Sequence, residues 1–327
     1  MKRIVLLLVL CILLTGCGKL SEKDVIKSIR KEFDKSSGYK LEGELIVTNN
    51  DEVYNYNVEV LYKKKDYYKV IFNNTSNDHT QIILKNKDGV YVLTPSLNKS
   101  FKFQSDWPYN NSQIYLLDTI ISDIEKDSKR KYIVNDKKYI FNTKVNYSNN
   151  TKLDYQKIVF SKDLELEKVV VFDKNGVESM KFSVNKIKYS PKFKKDEYNI
   201  NTIIDTNTNI EETSKLEDII YPLFIPSGTK LVNEEKIDKT NGKRVIMSYD
   251  GEKSFTLVEE STDVFNEFTI IPTMGEPCLL MDTLGVINDN SLYWTSGGVD
   301  YYLISDVLNQ TELLEVAGSI NGIVSMK

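Results

Sequence analysis

Histidine occurs once in the chain, at position 79, and cysteine three times, at 11, 17 and 278. Any serine or cysteine nucleophile that needs an imidazole base therefore has a single residue to recruit. His79 closes the polar run Asn73-Asn74-Thr75-Ser76-Asn77-Asp78, a composition that predicts an exposed loop histidine, and no serine or cysteine motif accompanies it. A structural zinc site wants four Cys or His ligands at set spacings, and His79, Cys17 and Cys278 do not supply them. Calcium held by carboxylates stays open, although no D-x-[DN]-x-[DN]-G loop is present. Neither glycine-rich phosphate-loop pattern occurs, so nucleotide binding has no sequence support; no cofactor is expected and no metal-ligand residue is assigned. Paired carboxylates of the glycosidase kind are a property of the fold and not of spacing. No catalytic residue is assigned, and the chain is expected not to be an enzyme.

Cys17 differs because its surroundings specify a reaction done to it. Met1-Lys2-Arg3 precedes an apolar run over 4–14, too short for a bilayer core that needs roughly 20 apolar residues, and so reads as a signal sequence. It ends in Leu14-Thr15-Gly16-Cys17, which resembles the lipobox of bacterial lipoproteins, where cleavage precedes the cysteine and its thiol receives a diacylglyceryl group. The alternative is an ordinary secretory signal that happens to end in cysteine; the ordered charge, apolar run, small residues and cysteine favour lipidation. At about 0.8 kcal/mol per buried methylene, two or more chains hold a protein at a membrane without a spanning helix. The expected layout is a signal peptide over 1–16 and a lipidated tether over 17–22. The body then sits on the outer face of the cell membrane.

Loss of Lys2 and Arg3 takes the formal charge from −4 to −6. That is the wrong sign for a phosphate backbone, so no nucleic acid partner is expected despite local runs such as Lys63-Lys64-Lys65, which read as solvated strand ends. With Cys11 removed and Cys17 acylated, Cys278 has no disulfide partner and reads as a small buried apolar residue.

The elements that must position these residues follow from periodicity. Ser21 with Asp24 marks a helix start, and Val25, Ile29 and Phe33 share one face. The period then falls to 2, clearest at Tyr54, Tyr56, Val58, Val60 and Tyr62, which share one strand face and are candidate cavity or core lining. Strands are expected over 67–72, 81–84 and 90–93, with Asp88-Gly89 as a hairpin turn. A second helix is expected over 112–124 after the breaker Trp107-Pro108. Further strands follow over 132–134, 139–141, 153–160, 164–172 and 177–187, with Asn175-Gly176 as a second hairpin turn.

Roughly ten strands with two interspersed helices predict a strongly curved antiparallel sheet over 23–200 whose concave face the helices fill. Residues 201–215, rich in Asn, Thr and acidic types, read as a linker. A smaller α+β domain is expected over 216–327, with strands at 245–249, 255–259, 292–295 and 301–304. A final helix would be capped by Asn309 or Thr311 and packed through Leu313, Leu314, Ala317 and Ile320.

Four local patches carry a family resemblance: the lipobox followed by a short helix, the strand 58–62, the hairpin 81–95, and Phe101-Lys102-Phe103 running into Trp107-Pro108. On these the first domain resembles the lipoprotein-carrier superfamily of LolA and LolB. The whole layout is similar to the LolA-like sporulation and germination lipoproteins of spore-forming Firmicutes. The second domain, through Tyr221-Pro222-Leu223-Phe224-Ile225-Pro226 and 312–317, resembles a small domain of Firmicutes membrane-associated regulators.

The resemblance implies a mainly β fold, an unclosed β-barrel covered by helices, in which Trp107 joins the candidate lining. In the carriers that barrel shelters the acyl chains of another lipoprotein. Here a fixed anchor argues for a binding scaffold with an envelope protein partner, a cortex peptidoglycan amidase among the candidates. Acyl-chain or lipoprotein binding in the barrel is the alternative.

Overall fold

The computed structural model describes residues 20–49, 52–207, 216, 218–240 and 242–320. Leu14, Thr15, Gly16 and Cys17 lie outside the described residues, as do 208–215 of the expected linker. The described part opens with helix α1 (Glu22–Lys35), which starts where the Ser21 hydroxyl accepts the Asp24 N–H at 3.2 Å and which buries Val25, Ile29 and Phe33.

The chain then alternates at period 2. Strands β1 (Gly38–Asn49), β2 (Glu52–Lys63), β3 (Tyr67–Asn74), β4 (Thr80–Asn86), β5 (Gly89–Thr94) and β6 (Lys99–Phe103) form one antiparallel meander. Helix α2 (Leu117–Lys126) crosses over, and β7 (Lys131–Asn135), β8 (Lys138–Lys144), β9 (Leu153–Phe160), β10 (Leu166–Asp173) and β11 (Glu178–Tyr189) return until β11 pairs with β1. The turns at Gly89 and Gly176 have φ of 137° and 78°, as their hairpins require.

After helix α3 (Ile200–Asn207), β12 (Thr229–Lys239), β13 (Gly242–Gly251) and β14 (Phe255–Ser261) begin a second sheet. The chain next leaves that sheet for one strand, β15 (Thr269–Thr273), which pairs in parallel with β6 and becomes the twelfth strand of the first sheet. Strands β16 (Glu276–Leu279), β17 (Leu284–Ile287), β18 (Ser291–Ser296) and β19 (Val299–Ile304) complete the second sheet in the order β12-β13-β14-β19-β18-β17-β16. Helix α4 (Gln310–Ala317) closes the described chain behind a capping box of Asn309 and Glu312.

The architecture is mainly β with few helices, and its large sheet is open and unclosed, as expected. One core fills the concave side of the twelve-stranded sheet, from Val25 and Phe33 of α1 through Ile120 and Ile124 of α2 to Leu284 and Val286 of β17. A smaller cluster on the outer face of β2 to β5, including Leu61, Ile82 and Leu84, is covered by Tyr198, Ile203 and Ile204.

Three expectations change. The second helix starts at Leu117 and not at 112, because Ser112 is drawn to the 146 loop: its N–H donates to the Asn146 carbonyl at 2.7 Å and its hydroxyl accepts the Asn146 N–H at 2.8 Å. The linker expected over 201–215 begins as α3, whose Ile203 and Ile204 find apolar cover on the sheet. Strand β15 was not legible at all, and through it the carboxy-terminal part of the chain is built into the first sheet.

Candidate functional site

Alternation along β2 turns Tyr54, Tyr56, Val58, Val60 and Tyr62 to the concave side. Tyr56, Val58, Val60 and Tyr62 are buried in the core, and Tyr54 is half-buried with its hydroxyl on the Glu52 carboxylate. Trp107 is fully buried, edge-on to Tyr68 at 5.6 Å between ring centroids. The rings continue as a chain, Tyr68 to Tyr62 at 4.8 Å and Tyr62 stacked on Phe33 of α1 at 5.7 Å. The candidate residues therefore pack mainly on one another and on the helices, so most of the concave space is filled by protein.

Beside the helices a polar network emerges from this packing. The Tyr68 hydroxyl donates to Asp118 at 2.5 Å and lies 3.1 Å from the Tyr109 hydroxyl, which donates to Asp66 at 2.5 Å. Asp66 in turn pairs with Lys85 at 2.7 Å. Burial raises the Asp118 carboxyl above the ordinary aspartate range, and the Tyr68 hydrogen bond opposes that shift. A cleft of about 720 Å³ opens here, lined by Arg30, Tyr62, Tyr109, Asp118 and Asp123 among others.

The other end of the open barrel is stopped by the second sheet. The Tyr56 hydroxyl donates to the Met281 carbonyl at 2.7 Å, and Gln81 Oε1 accepts the Leu284 N–H at 2.6 Å and the Thr283 hydroxyl at 3.0 Å. Between the two bodies remains a pocket of about 180 Å³, lined by Ile83, Tyr115, Tyr147, Cys278, Leu280 and Leu314 among others. That is below the roughly 300–1,000 Å³ of drug-sized ligand sites. Cys278 is buried there, and burial pushes its thiol up, which keeps it protonated and a poor nucleophile.

His79, expected in an exposed loop, is part-buried, because the second sheet packs beside its turn: Asn74 donates to the Asp282 carbonyl at 3.1 Å. Burial raises the Asp282 carboxyl, while the Ser296 hydroxyl at 2.6 Å and the nearby His79 charge oppose that rise.

Two further groups escaped the sequence reading. Lys99 of β6 and Asp300 of β19 form a buried ion pair at 3.2 Å across the two sheets, and Asp300 also accepts hydroxyls from Thr262, Tyr293 and Thr295. Glu259 of β14 is completely buried and accepts the Ile220 N–H at 3.1 Å through one oxygen, with no hydrogen-bond partner for the other among the described residues. Burial pushes its carboxyl up to about 7. Its signal was present, since Phe255, Leu257 and Glu259 share one strand phase and the first two are core.

No protein-family model matches the chain. The sporulation protein YdcC of Bacillus subtilis (strain 168) is 36% identical over 316 residues, covering 95% of this chain and 94% of that one. Among solved structures, the complex of the CwlD amidase from Clostridioides difficile with the GerS lipoprotein aligns over 55% of this chain and 99% of the matched chain, at 18% identity and a TM-score of 0.21. A LolA superfamily protein from Nitrosomonas europaea aligns over 54% and 98%, at 10% identity and a TM-score of 0.32. The Pseudomonas aeruginosa MucA/MucB complex aligns over 91% and 98%, at 11% identity and a TM-score of 0.35. At such scores these three likenesses carry no functional weight.

Proposed function

Because this chain belongs to the family of the sporulation protein YdcC, we propose that it acts in sporulation as a membrane-anchored, non-enzymatic lipoprotein of the envelope that binds a protein partner. The observation that carries this reading is an exposed apolar strap on the second sheet. Leu223, Phe224 and Ile225 are exposed, Leu223 to 80%. The strap lies beside β12, where the Tyr221 hydroxyl donates to Glu234 at 2.5 Å. Strand β12 is an edge of its sheet and itself exposes Leu231, Val232 and Ile237. Exposed apolar side chains next to an unpaired strand edge are the chemistry of protein docking.

The non-enzymatic part is supported by how the reactive groups are committed. Asp118 and Asp123 share the large cleft, but one oxygen of Asp118 accepts from Tyr68 at 2.5 Å, the other having no hydrogen-bond partner among the described residues, and Asp123 accepts from Gln156 at 2.7 Å. Purified protein is expected to be inert toward peptidoglycan and its fragments. The anchor is supported by the lipobox Leu14-Thr15-Gly16-Cys17. Leu20 is fixed at the sheet edge by the Tyr132 hydroxyl at 2.8 Å, and Cys17 is three residues away, a reach of roughly 10 Å. Fatty-acid labelling that persists after Cys17→Ala would remove the anchor from the reading.

The central test is affinity capture from sporulating cells with folded, lipidated bait. A cortex-processing amidase is the partner class that the spore-lipoprotein resemblance suggests, and repeated capture without any envelope protein counts decisively against the scaffold. A second reading, an acyl-chain ligand, draws on the carrier resemblance and on the apolar part of the lining around Cys278, a pocket that must enlarge beyond its about 180 Å³ to admit one. Native mass spectrometry of a chain beginning at Gly18 separates them: a retained acyl-sized mass supports the ligand, and a clean apo mass supports the scaffold.

A further inference from the structure

Register across the returning half of the large sheet places Lys131, Lys157 and Lys181 on one outward-facing row, through the pairs Lys131 with Asn142, Asn142 with Lys157, Lys157 with Val170 and Val170 with Lys181. The neighbouring inward row, Phe141, Ile158, Val169 and Phe182, is core. Five more lysines, Lys138, Lys144, Lys168, Lys186 and Lys188, hold other outward positions of β7 to β11; Glu178 and Glu167 are carboxylates of this face, and Glu42 of β1 lies opposite Lys186 at its border. Among the described residues, Lys138 is the one lysine of this set with an ion-pair partner, Glu167. This occurs in a chain whose formal net charge is −4, so the acidic excess lies elsewhere on the molecule.

The two halves of the outer face are treated differently. Over β2 to β5 it is covered by Tyr198, Ile203 and Ile204. Over β7 to β11 Lys131, Lys138, Lys144, Lys157, Lys186 and Lys188 are exposed, while the outward Val159 and Val170 between them are buried. Five strands at about 4.8 Å spacing make this a basic surface roughly 20 Å across. Its charges are lysine ammonium groups spread in two dimensions, a pattern that suits a planar array of anions better than one bidentate ligand.

We propose that the outer face of β7 to β11 docks on an anionic phospholipid bilayer, so that the large sheet lies against the membrane. Charge complementarity carries the docking, and the choice of a bilayer over other polyanions rests on the anchor reading, Leu20 being held at the β7 edge by the Tyr132 hydroxyl. Lysines near an anionic leaflet attract additively, while salt screens them. The face orients the body at the membrane.

The test uses the chain from residue 17 onward with Cys17→Ser, which keeps every described residue and carries no lipid. Cosedimentation is measured with vesicles of phosphatidylglycerol and phosphatidylcholine and with phosphatidylcholine alone. Binding to the anionic vesicles that weakens with salt is expected. The variant Lys131→Glu/Lys157→Glu/Lys181→Glu is expected to weaken it by at least about fivefold per lysine, on the order of 100-fold in all. A Lys→Gln variant at the same positions with native circular dichroism guards against misfolding. No binding to anionic vesicles, undiminished binding by both variants, or binding confined to soluble polyglycerol phosphate overturns the proposal. Because this chain is unlipidated, the result is independent of fatty-acid labelling at Cys17, on which the anchor itself stands or falls.

Discussion

Glu259 holds a carboxyl in the apolar phase of β14, and its protonation is tied to the fold. Its folded pKa of about 7 lies above the ordinary 4.5, so between those values the native state keeps a proton that the unfolded chain gives up. The associated stability is whole below about pH 4.5 and lost as pH rises through about 7. Glu259→Gln is expected to raise stability at pH 8 by about 2–3 kcal/mol and to change it little at pH 4.5. Thermal melts at both values check this, and equal shifts at both would exclude titration as the cause. Lys99 makes the opposite kind of demand. Lys99→Ala leaves Asp300 buried without its cation and is expected to cost about 3–5 kcal/mol, read by urea denaturation. A double replacement by apolar residues should cost much less. At this scale local rules were legible: Ser21, Gly89 and Gly176 were read from their immediate neighbours, and Asn309 as one of two candidate caps, the other being Thr311. The Lys99–Asp300 pair was not, because 201 positions separate its members and nothing local marks either one.

At the scale of elements, periodicity located the strands well where one face is buried, as in β2 and β9. It failed where tertiary contacts decide. The apolar stripe Leu117, Ile120, Ile121 and Ile124 is helical as expected, but Ser112 bonds to the 146 loop and the helix waits until Leu117. In α3, polar composition concealed Ile203 and Ile204, which the outer sheet face recruits. Ile203→Ala is therefore expected to cost about 2 kcal/mol, the low end for a buried isoleucine because the helix is short, and a true linker would show no change. Strand β12 escaped because its side chains are mostly exposed and carry no alternation. The strap beside it entered the sequence analysis only as a family patch, Tyr221 to Pro226, and not as surface. Leu223→Asp with Phe224→Asp is expected to abolish partner capture while leaving the thermal midpoint nearly unchanged, since both residues are exposed. Loss of capture together with loss of stability would make the strap structural.

For the whole molecule, the open sheet and its helices were legible from strand count and helix position, whereas the union of the two bodies was not. The concave core extends into Leu284 and Val286, and Gln81 holds the 283–284 backbone. Unfolding is accordingly expected as one transition by fluorescence and circular dichroism, and two separated transitions would show that the bodies fold independently. Strand β15 also sets an order of events in time. Thr269 pairs with Lys99, 170 residues earlier, and at about 5–20 residues per second that gap is roughly 10–30 s of synthesis. Until then the outer edge of β6 has no neighbour in the sheet. A nascent or truncated chain must therefore be shielded along β6, and a chain cut before residue 269 presents a permanently open edge to other molecules.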